Sequence, residues 1–233
     1  MRKSSIFTGR YLFHFHTRHT DGELSIEDYF TYARNARVDR LIFLEHIRRQ
    51  PTYDVEKFAS EVIQASQRFG IDAVLGFEAK LLPEGDLDIS DEHFTLAKVI
   101  GIAEHRFTAD ITLLQDALCR TIDRYRVAAG DTSLVWVHPG LTFLKSGVNP
   151  VDNPIYESMI RWARGEQLLV EQNLRYKLVP ESALQIVENA GVVLGADAHT
   201  AADLELWADT LHRSRIQYVG EGALQEEVPG ILS

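Results

Sequence analysis

Hydrophobic and polar positions along the 233-residue chain follow two periods that take turns. Short apolar runs of strand length occupy 11–17 (YLFHFHT), 40–46 (RLIFLEH), 72–82 (DAVLGFEAKLL) and 98–105 (KVIGIAEH). Others follow at 133–138 (SLVWVH), 168–173 (LLVEQN) and 192–199 (VVLGADAH). Between them, residues 25–37, 54–70, 110–130, 155–167, 180–191 and 201–215 read as helices with one buried face. In the first, Ile26, Phe30 and Ala33 share a face, and Ser25 and Asp28 stand at capping-box spacing. Gly70 and Gly130 close two of the others. Residues 83–97 read as a small excursion, and 139–154 as the longest loop after a strand end. Such loops shape substrate choice in barrels, so 139–154 is expected to act as a partial lid.

Strand–helix units in series predict an α/β fold with parallel strands and outer helices, closed into a barrel. No shift in composition and no Pro- or Gly-rich linker divides the chain, so 1–233 is expected to be one domain. The glycine signatures of dinucleotide-binding sheets and P-loops are missing.

The strand tips carry the candidate chemistry. The polar residues nearest the C-terminal ends of the strands are His16, His46, Glu78, His105, His138, Glu171 and His199, at gaps of 30, 32, 27, 33, 33 and 28 residues. Barrels of this kind keep their active sites at those ends, so the spacing predicts that these side chains converge. Side chains two apart on a strand share a face, which pairs His14 with His16 and Asp197 with His199, while Phe13 and Phe15 pack away from them. Closure of the barrel would bring the two pairs together, since its first and last strands become neighbours. Imidazole with carboxylate and no thiolate suits Zn, Mn or Fe.

Composition narrows the partners. The formal charge of −10 argues against a broad nucleic-acid surface, which would favour a basic face. A small anionic substrate stays compatible, because a metal cluster supplies local positive charge. No apolar run approaches the ~20 residues of a membrane span. The N-terminus lacks a signal-peptide pattern, and Cys119 is the one cysteine, so a cytoplasmic location is expected. Cys119 reads as core. His93 and His212 read as structural, Trp136 as outer packing, and Trp162 and Trp207 as core.

The motifs together resemble the polymerase and histidinol phosphatase (PHP) superfamily of metal-dependent phosphoesterases. HFHTRHTDG (14–22) is similar to its first motif, FLEH to its second, GFE to its third, and IGIAEH to its Ile-Gly-Ser-Val-His. VHPG and GADAH match two more, and the six stand in the family's order. Glu45 departs from the pattern, standing where Asp usually precedes the second-motif histidine. The resemblance implies a distorted (β/α)7 barrel with two or three divalent ions. By position, His14, His16, Glu78 and Asp197 would hold the first ion, and Glu78, His105 and His138 the second. Asp21, His46 and His199 would hold the third. It implies hydrolysis of a small phosphomonoester by a metal-activated hydroxide, with Glu78 and Asp197 holding the reacting centre.

Phosphate also needs cations. Arg48 and Arg175 are the preferred substrate contacts, with Arg18, Arg106 and Lys80 as further candidates; each also reads as solvated charge. His19 reads as a support for a ligand, a proton donor to the leaving oxygen, or a plain loop residue. Glu171 reads as ligand support, substrate contact or structure. The same resemblance permits a phosphodiesterase or 3′–5′ exonuclease acting on nucleotides or single-stranded nucleic acid. A non-catalytic metal-binding module is a further reading. An amidohydrolase-type barrel also opens with His-x-His, but HTDG, GFE and the paired DAH fit the PHP pattern better.

Overall fold

The computed structural model describes residues 5–128, 130–150, 154–166, 168–179 and 191–213. The predicted helix over 180–191 and the side chain of His212 lie outside the described residues, and so does the end of the helix predicted to reach 215.

Strands and helices alternate as the periods require. β1 is Tyr11–Phe13 and α1 Ile26–Ala36. β2 (Arg40–Ile42) and β3 (Glu45–Ile47) are two halves of one predicted strand, followed by α2 (Val55–Phe69). β4 (Asp72–Val74) and β5 (Gly76–Lys80) divide the next strand in the same way. The excursion contains a short helix, α3 (Asp91–Leu96), which its brief apolar pattern did not announce. β6 (Val99–Ala103), α4 (Ile111–Ala128) and β7 (Ser133–Trp136) come next. The segment read as a loop after β7 holds a five-residue helix, α5 (Leu141–Lys145), before α6 (Pro154–Gly165). β8 (Leu169–Asn173), β9 (Val192–Gly195) and α7 (Ala201–Arg213) complete the described chain.

Among the described residues, these strands pair with one another in parallel, in the orders β1-β2-β4 and β3-β5-β6-β7-β8-β9. The two sheets share the chain segments 40–47 and 72–80, so they are halves of one wall. The last strand returns to the first through Ala196 N–H to the Phe13 carbonyl (2.9 Å), Ala198 N–H to His14 (3.1 Å) and His16 N–H to Ala198 (2.9 Å). Seven strand positions thus form a ring.

Alternation divides the apolar residues into two layers. Tyr11, Phe13, Ile42, Leu44, Val99, Ala103, Val135, Val137 and Val193 form a small core of strand residues, the filling of the ring. A larger cluster that includes Leu12, Leu41, Phe43, Phe77, Ile100 and Trp136 packs the strands against the helices. Trp136 lies in that outer layer, and Trp207 is buried within it. Trp162 packs against it partly buried. Phe13 and Phe15 were expected to share a face, yet they lie in different clusters. His14 has a left-handed backbone (φ 62°), which ends β1 and resets the alternation, so that His14 and His16 still face the same centre. Cys119 is partly exposed at the edge of the α4 stripe rather than in the core, and burial lifts its thiol above the usual range, as expected of an inert cysteine. Among the described residues, no helix is long and apolar enough to cross a membrane.

The capping box is formed: Asp28 N–H donates to Ser25 Oγ (3.2 Å), and Ser25 N–H donates to Asp28 Oδ2 (2.8 Å). Ser25→Ala is expected to cost about 1 kcal/mol. In a chain of this size that is a fall of roughly 2–4 °C in melting temperature, readable by calorimetry.

Candidate metal centre

Side chains from six strand ends meet at the C-terminal mouth of the ring. His14 and His16 follow β1, His46 lies on β3, Glu78 on β5, His105 follows β6, His138 follows β7, and Asp197 and His199 follow β9. Asp21 joins them from the loop after β1. Gly22 lets that loop fold back: a Cβ there would lie 2.1 Å from the His16 carbonyl oxygen.

Glu78 is central and almost wholly buried. Its Oε2 faces His14 Nε2 (3.5 Å), His16 Nε2 (3.4 Å) and His46 Nδ1 (3.1 Å). Its Oε1 faces His105 Nε2 (2.5 Å) and His138 Nε2 (3.0 Å). Asp197 Oδ1 lies 3.8 Å from His14 Nε2 and 3.7 Å from His16 Nε2. On the outer side, Asp21 faces His46 Nε2 at 3.4 Å and His199 Nε2 at 3.5 Å.

The donor atoms fit a metal. Among the described residues, His14 Nε2, both ring nitrogens of His16, and His46 Nδ1 are buried without a hydrogen-bond partner. Leaving such groups unmet costs about 1–3 kcal/mol each, unless something other than a hydrogen bond meets them. Many of the facing distances, at 3.4–3.8 Å, are too long for hydrogen bonds. Two ligands held ~2.1 Å from one ion at the tetrahedral angle lie about 3.4 Å apart, so these spacings suit the edges of a coordination shell. Among the described residues, four groupings bring their donor atoms within 4.8 Å of one another: His16/Asp21/His46/His199, His14/Glu78/His138, His14/His16/Asp197 and His46/Glu78/His105. His46 therefore turns one nitrogen to Glu78 and the other to Asp21, linking the deep groups to the outer one.

The electrostatics favour positive charge at the centre. Burial alone would raise the Glu78 carboxyl, but His46 and His105 overturn that and hold it well below the usual carboxylate range. Asp197 is depressed in the same way, with His14 and His16 outweighing burial. His199 and His46 hold Asp21 far below its usual value. Burial disfavours the charged form of His46, yet Glu78 and Asp21 push it up to about 10. Burial likewise disfavours charge on His14 and His138, yet Glu171 and Asp197 raise the first and Glu78 the second. His105 is the exception: burial, with His138 and His46 as like charges, outweighs Glu78 and lowers it.

A second ring of groups aims the first. His14 Nδ1 pairs with Glu171 Oε1 at 2.6 Å, which leaves Nε2 to face the centre. Glu171 Oε2 accepts from the His138 backbone N–H (2.6 Å) and from Asn173 Nδ2 (3.0 Å), and Asn173 Nδ2 also reaches Asp197 Oδ2 (3.2 Å). The β8 pair thereby ties down His14, His138 and Asp197, all of which have left-handed backbones (φ 62°, 31° and 50°). Such conformations cost of order 1–3 kcal/mol each and persist where the surroundings over-determine them. Glu45 is buried beside His16 (3.7 Å) and accepts from Thr17 N–H (3.0 Å), Thr17 Oγ1 (2.5 Å) and the Thr20 hydroxyl. Glu45 is thus built into the site's frame.

The centre opens into a cavity of about 410 Å³ lined by Asp21, His46, Glu78, His105, His138, Asp197 and His199 together with Glu23, Lys145, Arg175, Tyr176 and Thr200. Of the sequence-predicted cations, Arg175 lines it. Arg48 donates to the Ile47 carbonyl (2.5 Å) and faces Asp88 (3.6 Å), and Arg18 is tied to the Glu23 carbonyl (2.6 Å). Arg106 is exposed on a left-handed turn, and Lys80 is partly buried on β5; neither lines the cavity. His19 pairs with Glu61 (2.8 Å) and packs against Phe58, away from the lining. His93 bonds Ser90 (2.9 Å) at the start of α3. Asn173, Lys145 and Tyr176 were not singled out from sequence. The period of two from Glu171 to Asn173 held the signal for the first, and Tyr176 adjoins Arg175. Lys145 had none.

No protein-family model matches the chain, and no curated protein matches it. Among solved structures it is similar to a two-domain protein from Bacteroides vulgatus containing a predicted PHP-like metal-dependent phosphoesterase. That match has 15% identity over 88% of this chain and 58% of the other, with a TM-score of 0.48. It is also similar to orotidine 5′-monophosphate decarboxylase from Methanocaldococcus jannaschii, at 13% identity over 85% of each chain and a TM-score of 0.44. An organophosphorus hydrolase variant from Deinococcus radiodurans shares 11% identity over 88% of this chain and 83% of the other, with a TM-score of 0.42. At these identities and TM-scores the likenesses carry no reading of function, which rests on the site.

Proposed function

We propose that the chain is a metal-dependent phosphoesterase of the PHP type that hydrolyses small phosphomonoesters. The observation that carries this is the convergence of buried, unpartnered imidazole nitrogens on Glu78 and Asp197. His14, His16, Glu78 and Asp197 would hold one divalent ion, Glu78 with His105 and His138 a second, and Asp21, His46 and His199 a third. Zinc, manganese or iron bound there would activate water at neutral pH and stabilise charge on the phosphoryl oxygens. Glu171, Asn173 and Glu45 keep the donors aimed. Arg175, beside Asp197 and His199, offers its guanidinium to a phosphoryl oxygen. A cavity of about 410 Å³ suits a small-molecule ester.

Protein purified without chelator is expected to carry two or three divalent ions per chain by elemental analysis. It should release inorganic phosphate from a panel of monoesters and lose that activity on chelation. Metal-replete protein that releases no phosphate across a broad panel would overturn the reading. Faster cleavage of bis-nitrophenyl than of nitrophenyl phosphate would replace it with a diesterase.

A further inference from the structure

The cavity mouth carries two cations in different situations. Arg175 is about one-third exposed and is already engaged: its Nη1 donates to the Asp197 carbonyl (3.3 Å), meets His199 Nδ1, and lies 3.9 Å from Asp197 Oδ1. Lys145, the last residue of α5, is exposed and has no ion pair among the described residues. The Tyr176 ring lies with both, its centroid 5.8 Å from Lys145 Nζ and 5.8 Å from the Arg175 guanidinium carbon. The same ring stands against His138, 6.2 Å between centroids.

α5 is anchored. Thr142 N–H donates to Glu104 Oε1 (3.2 Å) and Thr142 Oγ1 to the Phe107 carbonyl (2.7 Å), while Leu141 and Phe143 are buried. The anchoring carboxyl is itself wholly buried. The segment after β7 thus holds a solvated cation at the lip, while Arg175 lies against the metal ligands. A phosphoryl group engaged by the centre and Arg175 would leave Lys145 facing whatever the leaving group carries.

We infer that Lys145, with the Tyr176 ring beside it, binds a second anionic group on the substrate's leaving part. The substrate class is then a small phosphomonoester bearing a carboxylate or a further phosphate. This deepens the proposed phosphoesterase reading and rests on it. An ammonium free of carboxylate partners is strongly hydrated, and a partly desolvated charge-assisted contact with a ligand anion is its natural use here.

The test compares 2-phosphoglycolate with its neutral-ended analogue, 2-hydroxyethyl phosphate. The metal-replete wild type should favour the former in kcat/KM. Lys145→Met should reduce that ratio about tenfold, through KM, and Lys145→Arg should restore most of it. Calorimetric binding of the two compounds gives the same comparison without turnover. A ratio unchanged by Lys145→Met in both assays overturns this inference and leaves the phosphoesterase reading standing. A wild type that hydrolyses neither compound nor any other monoester overturns that reading instead, while the binding ratio still decides the role of Lys145.

Discussion

Glu78→Gln is expected to lower kcat/KM for phosphomonoesters about 10³-fold, roughly 4 kcal/mol of transition-state stabilisation, and to remove at least one bound ion per chain. The reason is the position of the carboxylate. Its two oxygens face five imidazoles, three through Oε2 and two through Oε1, in a setting that is almost wholly buried. Glutamine keeps the shape but halves the acceptors and turns an NH2 toward nitrogens that need a lone pair free for a cation. The carboxylate also raises His46 and His138, so its loss removes what draws positive charge into the pocket. Elemental analysis and a phosphate-release assay on the same sample read both effects. Wild-type metal content with a wild-type rate would show that Glu78 is not where the ions are shared.

Much of this site was legible in the sequence because a barrel converts even spacing into convergence. A polar residue at each strand tip about every 30 residues needs only parallel strands and closure to become a cluster. His46, Glu78, His105 and His138 followed from that argument. The pairing of His14 with His16 followed from alternation, although the structure reaches it another way. Pattern reading assumes straight strands, and His14, His138 and Asp197 break theirs with left-handed turns that no side-chain pattern encodes. The turn at His14 places Phe13 in the inner core and Phe15 in the outer one. The cations were less legible. The role of Arg48 depends on where Asp88 falls within the excursion, and that of Lys145 on a five-residue helix in a stretch that reads as loop. Long side chains at loop positions take their partners from tertiary packing, which local period does not record.

Gly195→Ala is expected to destabilise the protein by about 3 kcal/mol, from overpacking and lost buried hydrogen bonds. For a chain this long that corresponds to a fall of roughly 6–12 °C in melting temperature. A Cβ at Gly195 would lie 1.6 Å from Glu171 Oε1, 2.4 Å from its Cδ and 2.7 Å from its Cγ. Glu171 cannot swing away cheaply: it is fully buried and held by His14 Nδ1, the His138 N–H and Asn173 Nδ2. Moving it frees the His14 ring, so metal affinity should fall by about 10–100-fold as well. The cause can be isolated with a double-mutant cycle. Glu171→Ala removes all three obstructing atoms, so adding Gly195→Ala to it should cost far less than Gly195→Ala costs in the wild type. Two penalties that simply add would mean that the glycine serves something other than room for Glu171, and that the β8 carboxylate is not what holds the left-handed His14, His138 and Asp197 in place.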